Sequence, residues 1–452
     1  MTVDDTLADV LAGHRRAGRG ERPALVDQRR TVTYTELERE VTRRVRELRG
    51  AGVGAGTRTG VVLTSSLESV VDFAAATSLH AAVLVLQERA GEAERSAALA
   101  DFGAELGIDA LGVTRLRPSA PGTGEPAFAV TSSGTSGRPK VIAREWSGTL
   151  HNSATFARGL GIDADDVVLT TSPLGHSYAI EAGTLAVLSA GACQLIPSGP
   201  LTPARAAALV ERHRPTVLQS VPLVLDWWGR GGVARAGSWK RCVSAGEALP
   251  AQAVAAWHAA DIAVHDHYGN SELGQLTLHP AGGGGSVGHP LSGVKLKAGG
   301  DEPGPVLACF PGLSPVRMEE GQAVPLTDEE GWVATGDLGV LDDDGLRLTG
   351  RSDLLINIGG NKVSPLEVEN VLRTLPGVDD CAVVGRPGPS GENQVWAFVE
   401  AGAEEFDAAA LRRRAAEHLM TVKVPTVIRR VDRLPRTGSG KIRRGLLIEE
   451  GA

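Results

Sequence analysis

The run Thr131-Ser-Ser-Gly-Thr-Ser-Gly-Arg-Pro-Lys140 joins hydroxyl donors, two glycines and a closing lysine in ten residues. Such a loop offers convergent backbone N–H groups, little side-chain obstruction and one mobile positive charge, which together suit a triphosphate. It is not a Walker loop, because Pro139 separates Gly137 from Lys140 and no Ser or Thr follows the lysine. A flexible Gly/Ser linker reads equally well from this stretch alone. Four further segments carry chemistry-bearing residues. Tyr268-Gly-Asn-Ser-Glu272 sets an aromatic face to stack on a purine, a hydroxyl for a phosphate (Ser271) and a carboxylate for Mg²⁺ (Glu272). Thr335-Gly-Asp-Leu338 places an isolated carboxylate, Asp337, on a turn suited to a pair of ribose hydroxyls, and Gly350-Arg351 adds a fork of donors. Leu434-Pro-Arg-Thr-Gly-Ser-Gly-Lys-Ile442 presents Lys441 on a glycine-flanked loop. Each segment alone is also an ordinary turn. Five in a fixed order are much harder to obtain by accident.

The elements around them alternate. Thr57–Leu63 and Val83–Leu86 read as strands flanking an apolar helix. Asp166–Thr170, Cys193–Ile196 and Val217–Ser220 read as strands, with helices at Ile180–Ala190 and Pro203–His213 between them. Upstream, a strand at Arg30–Thr33 leads into a helix through Leu37, Val41, Val45 and Leu48, with Thr35 as its expected cap. Val243–Pro250 reads as a strand, a glycine turn and a new helix. Alternation of this kind predicts an α/β fold of helix-covered, mostly parallel sheets. From Gly282 the pattern changes to short strands at Leu346–Leu348 and Leu354–Ile358. A helix at Pro365–Leu375, strands at Cys381–Val384 and Val395–Val399, and a helix at Ala408–Leu419 follow. Two domains are expected: a large one over residues 1–351 and a small, mobile α+β one over residues 352–452, in keeping with the 452-residue length.

The net charge of −8 argues against nucleic acid and anionic membrane as bulk partners. Four well-separated cysteines, no basic-apolar leader and no uninterrupted apolar span predict a soluble cytoplasmic enzyme without membrane insertion.

Taken in order, these segments resemble the adenylate-forming (AMP-binding) superfamily: acyl- and aryl-CoA synthetases, stand-alone adenylation enzymes and luciferases. Thr33-Tyr-Thr-Glu-Leu37, Gly285–Gly293 and Gly350–Glu369 are similar to further signatures of that family, so the resemblance spans nearly the whole chain. It implies ATP, Mg²⁺ and a two-step reaction. A carboxylate attacks the α-phosphate to give acyl-AMP and pyrophosphate, and a thiol then displaces AMP. Catalysis would consist of positioning and charge neutralisation. By that resemblance Thr131, Ser132, Ser133, Gly134, Thr135, Ser136, Gly137 and Lys140 cradle the pyrophosphate. Gly246, Glu247, Asp266, His267, Tyr268, Gly269 and Ser271 line the nucleotide site, Asp337 and Arg351 hold the ribose, and Glu272 holds Mg²⁺. Lys441 and His176 act beside Glu272 at the reacting centre, and Asp353 is the hinge.

Family members that take α-amino acids carry an Asp in the segment matching Pro173–Tyr178. None occurs here, which points to a small or aryl carboxylic acid without an α-amino group. His267 departs from the family's usual glycine. It is expected to shorten or polarise the acid pocket, or else to turn away toward solvent. Gly359-Gly360 is similar to the glycines lining a pantetheine tunnel, which favours CoA as thiol. The alternatives are a separate carrier protein acting in trans, or an amine-type nucleophile. A non-catalytic nucleotide-binding homologue is more remote, because Lys441, Glu272 and Asp337 are all present. Arg412–Arg414, Arg429, Arg430, Arg433, Arg443 and Arg444 would meet a CoA phosphate or an acidic carrier, or simply face solvent. The N-terminal third is short for the family, and His80–Arg89 replaces its Gly-rich segment, which bears on oligomerisation and leaves a homodimer open.

Overall fold

Arg58–Leu63, Ala82–Gln87 and Val167–Thr170 are buried along nearly their whole length, as strands are when helices cover both faces of their sheet. A computed structural model describes residues 6–116, 127–132, 139–199, 201–247, 249, 251–280, 285–358, 361–388, 393–402, 406–437 and 441–449. The chain divides into two compact units, Met1–Leu296 with Leu307–Thr335, and Lys297–Val306 with Gly336–Ala452. Asp337 and Arg351 therefore count with the C-terminal unit.

The first unit holds two large sheets. In one, Leu106–Asp109, Arg58–Leu63, Ala82–Gln87 and Ala127–Ser132 run parallel in that spatial order, flanked by antiparallel strands at both edges. In the other, six parallel strands lie in the order Ala263–Asn270, Arg241–Ala245, Val217–Ser220, Val167–Thr170, Cys193–Leu195, Pro23–Val26, again with antiparallel edges. The expected α/β class with mostly parallel sheets is what the chain adopts. Trp146–Leu160 is a helix buried nearly all round, with Leu150, Asn152, Ser153 and Phe156 all inside. Its interior polar side chains are satisfied there: Asn152 donates to the Gln275 carbonyl and accepts from the Gln275 amide, and Ser153 donates to the Thr149 carbonyl.

Local chemistry corrects several boundaries. The helix Tyr34–Gly50 is capped by Thr33, not Thr35. The Thr33 hydroxyl accepts from the Glu36 amide while Glu36 reaches back to the Thr33 amide, a reciprocal capping box. The stretch expected as one helix from Ile180 is a wide π-turn over Ala179–Leu185 followed by a short α-helix, Ala186–Ala190. The helix expected to reach Leu419 ends at Ala415.

The C-terminal unit contains an antiparallel hairpin in which Asp337 pairs with Arg351. It also holds a two-stranded sheet of Ile356–Ile358 and Asn361–Val363, and a three-stranded sheet of Asp380–Pro387, Asn393–Glu400 and Val427–Val431. The short strands expected at Leu346–Leu348 and Leu354–Ile358 exist but lie in different sheets. Its core gathers Val368, Leu372, Val383, Ala397 and Leu411.

Candidate active site

In the six-stranded parallel array the chain steps outward from Val167–Thr170 to Cys193–Leu195, then crosses back to Val217–Ser220. Direction reverses between Val167–Thr170 and Val217–Ser220, and loops leaving the carboxyl ends on either side of such a point diverge and open a crevice. Thr171 marks it: its amide donates to the Gln219 carbonyl at 3.0 Å, and its hydroxyl lies 2.6 Å from that of Ser220. From there the chain enters Pro173–Tyr178. Gly175 sits against the end of a strand in the other sheet, where a Cβ would come within 2.7 Å of the Gln87 Cα, so no larger residue fits without movement. His176 Nδ1 lies 3.3 Å from Gln87 Nε2. This loop thus touches the carboxyl ends of strands in both sheets.

The neighbouring parallel strands end in the other expected site residues. Gly246 and Glu247 follow Arg241–Ala245, with Gly246 in the left-handed region at φ +99°. Ala263–Asn270 delivers Asp266, His267 and Tyr268, which are only 6%, 5% and 8% exposed. A bulge after Tyr268 re-aims the chain at Gly269. Asn270 Oδ1 then accepts the Leu273 amide at 2.8 Å, closing the turn that presents Ser271 and the half-buried Glu272. Nothing in the sequence beyond the Asn-rich turn chemistry singled out Asn270 for this.

His267 is not turned toward solvent. Its ring stacks on Tyr178 with centroids 5.6 Å apart and meets Phe156 edge-on at 5.0 Å. Burial pushes its pKa down to about 3, so the imidazole is neutral, and neither ring nitrogen has a hydrogen-bond partner among the described residues. Leaving a buried polar atom unsatisfied costs about 1–3 kcal/mol. Burial also raises the carboxyl of Asp266 to about 7, despite the His267 amide donating to Oδ1 at 3.0 Å. A protonated carboxyl carries one O–H donor beside its acceptor oxygen, so Asp266 can both donate and accept. Phe156 carried no sequence signal beyond its apolar helix.

Behind this wall lies a fully buried ion pair, Arg144 with Glu181. Desolvation raises the Glu181 carboxyl, and Arg144 opposes that rise. Arg144 also lies over the Phe128 ring at 5.3 Å. Gly274 roofs the pair at φ +76°, and a Cβ there would come within 2.8 Å of Glu181 Oε2 and 2.6 Å of Asn152 Oδ1. The pair therefore underlies the glycine-loop strand Lys140–Glu145, the helix that follows Tyr178, and the turn holding Glu272. Glu181 is the nearest acid after the Pro173–Tyr178 segment. Bound to Arg144, it does not supply a partner for a substrate ammonium group. A glutamate inside an apolar run was the legible signal for this pair; its partner was not.

Thr131, Ser132 and Lys140 belong to an antiparallel hairpin in which Thr131 pairs with Val141 and Ser132 with Lys140. These three are the described part of the expected cradle; Ser133, Gly134, Thr135, Ser136 and Gly137 lie outside the described residues, as do Gly359 and Gly360.

In the C-terminal unit Arg351 stands between two carboxylates, with Nη1 at 3.2 Å from Asp337 and Nε at 3.0 Å from Asp353. Lys441 is exposed, and its loop is pinned at the backbone. The Lys441 amide donates to the Thr437 hydroxyl at 3.1 Å, and the Thr437 amide to the Lys441 carbonyl at 2.7 Å. Arg436 anchors the segment before the loop on Asp380, and Arg444 anchors the segment after it on the buried Glu369 at 2.7 Å. Arg444 and Arg430, which is paired with Asp432, are thereby engaged within the unit rather than free for a phosphate.

Among the described residues no group of three or more His, Cys, Asp or Glu side chains could hold a metal. A single carboxylate such as Glu272 suits Mg²⁺, which commonly takes one or two protein carboxylates together with substrate phosphates and water.

These features define a class, an α/β enzyme with its ligand crevice at a strand-order reversal and a pinned, exposed lysine on a second unit. Residues 13–121 and 109–308 match the AMP-binding enzyme family, and residues 367–441 match the AMP-binding enzyme C-terminal domain. The chain belongs to the AMP-binding enzyme family. It is 29% identical to a 3-hydroxybenzoate–CoA ligase of Aromatoleum sp. (strain CIB), over 98% of this chain and 96% of that protein. It is also 29% identical to a 3,4-dihydroxybenzoate–[aryl-carrier protein] ligase of Bacillus anthracis, over 72% and 74% of the two chains. A benzoate CoA ligase structure from Burkholderia xenovorans LB400 shares its fold, with a TM-score of 0.82 at 24% identity, covering 98% of this chain and 100% of that one. No helix among the described residues is long and apolar enough to cross a membrane.

Proposed function

We propose that this protein activates an aryl carboxylic acid lacking an α-amino group and passes it to CoA. It is an AMP-forming acid–thiol ligase that uses ATP. The observation that carries the substrate reading is the stack of Tyr178, His267 and Phe156 at the crevice, which supplies flat aromatic walls where the family's usual glycine would leave space. Relatives named for hydroxybenzoates, over nearly the full chain in one case, support the same class.

In this reading Tyr268 and Asp266 receive the adenine, Asp337 and Arg351 the ribose, and the Thr131–Lys140 hairpin the departing phosphates. Mg²⁺, held by Glu272, would neutralise charge on those phosphates. Lys441 places its ammonium between the acid's carboxylate and the α-phosphate, two anions that otherwise repel. Its pinned loop fixes where that charge sits. His176, held by Gln87, orients the acid. Residues 352–452 then pivot at Asp353 as the functional domain, so that a second face serves the thiol.

A panel of carboxylic acids with ATP, read by pyrophosphate release and repeated with CoA and with aryl-carrier proteins, tests this. Aryl acids should turn over only when CoA is added. Lys441→Ala should lower pyrophosphate release by on the order of a hundredfold or more while ATP still binds. Full turnover with a carrier protein and none with CoA would reassign the acceptor, and undiminished release by Lys441→Ala would remove the mechanism.

A further inference from the structure

The His267–Tyr178 stack holds more than aromatic surface. Both nitrogens of His267 and the hydroxyl of Tyr178 are buried without a hydrogen-bond partner among the described residues. Interior polar atoms are nearly always satisfied, so three unsatisfied atoms on two touching rings call for a ligand that completes them. The three atoms are themselves covered, but they border accessible surface: Tyr178 is part-exposed as a residue and Gly269, two residues beyond His267, is exposed. A neutral imidazole carries one donor and one acceptor, and a phenol serves as either. A hydroxyl group is the smallest substituent able to donate to one of these atoms while accepting from another. An aliphatic tail would leave all three unpaired.

We propose that His267 and Tyr178 form the specificity-determining pole of the acid pocket, selecting an aromatic carboxylic acid that bears a ring hydroxyl over the same acid without it. This rests on the acid-activation reading above. Because burial keeps the imidazole uncharged, the pole recognises a neutral hydroxyl and gives no charge to attract a second carboxylate. Phe156, edge-on to His267, holds the imidazole plane so that its nitrogens keep one direction.

ATP–pyrophosphate exchange with benzoate and the 2-, 3- and 4-hydroxybenzoates tests it, alongside a small set of aliphatic acids, in the wild type, His267→Phe and Tyr178→Phe. Phenylalanine keeps a flat ring in either place and removes only the polar atoms. In the wild type at least one hydroxybenzoate should exceed benzoate in kcat/KM by about tenfold or more. In His267→Phe that ratio should fall toward one, chiefly through KM of the hydroxylated acid, and in Tyr178→Phe it should fall in the same direction. Taking the ratio within each variant cancels any general loss of activity. Benzoate matching every hydroxybenzoate in the wild type overturns the proposal whatever the variants do, as does a ratio that survives both substitutions. Exchange with aliphatic acids alone overturns the proposal while leaving acid activation standing; exchange with no acid overturns both.

Discussion

At the scale of single residues, environment rather than type decides what each group can do. Asp266 looks like an ordinary acid in the sequence, but burial lifts its carboxyl from 3.8 to about 7. The folded chain therefore keeps a proton that the unfolded chain has already released. That contribution to stability is complete below the unfolded value and is lost as pH rises through about 7. His267 acts in the opposite sense. Its folded value falls from 6.5 to about 3, so its contribution is present above 6.5 and is lost as pH falls through about 3. Asp266→Asn should thus flatten the decline of melting temperature with rising pH, between about pH 4 and 7, by roughly 2–4 °C for each kcal/mol of ionisation penalty removed. Parallel melting curves for the two proteins across that range would refute the assignment. The turn that carries Glu272 was legible in the sequence, because turn chemistry is a local property. The direction in which His267 points was not, because it depends on Tyr178 and Phe156, far away in the chain.

At the scale of elements, the buried Arg144–Glu181 pair ties together three segments that the sequence shows only separately. Charges taken out of water are held only by each other, so removing one leaves the other stranded. Glu181→Met should cost about 3–5 kcal/mol, whereas replacing both by apolar residues of similar volume should recover much of that loss. Urea unfolding of the two single variants and the double variant measures it; strictly additive losses would show that the two side chains do not act as a pair. Gly274 marks how tight the roof over this pair is. The alternation of strands and helices was readable from periodicity because parallel strands buried on both faces leave continuous apolar runs. The π-turn at Ala179–Leu185 was not, since its wider winding leaves no mark in the apolar periodicity. The antiparallel pairing of Ala127–Ser132 with Lys140–Glu145 was likewise a matter of partners, not of local pattern.

At the scale of the whole molecule, the chain divides into a larger unit and a smaller one that gathers Lys297–Val306 and Gly336–Ala452, and Arg351 bridges the carboxylates expected to serve the ribose and the hinge. Restricting the backbone at that point should separate the two half-reactions. Asp353→Pro fixes φ and confines Ser352 to extended conformations. Acyl-AMP formation should persist in that variant while thioester formation falls by at least tenfold, read as pyrophosphate against acyl-CoA. Equal loss of both would place the pivot elsewhere. Trp396 gives this motion an optical handle. Of the seven tryptophans in the chain it alone falls within the C-terminal unit, on the strand Asn393–Glu400 with the Arg386 guanidinium 4.5 Å above its ring. An indole under a cation has an emission colour that follows local field and hydration, so substituting Trp396 by Phe subtracts the small unit's light from the total. The difference spectrum, followed through a stopped-flow mixing with ATP, acid and CoA in turn, would time the smaller unit's rearrangement without any attached dye.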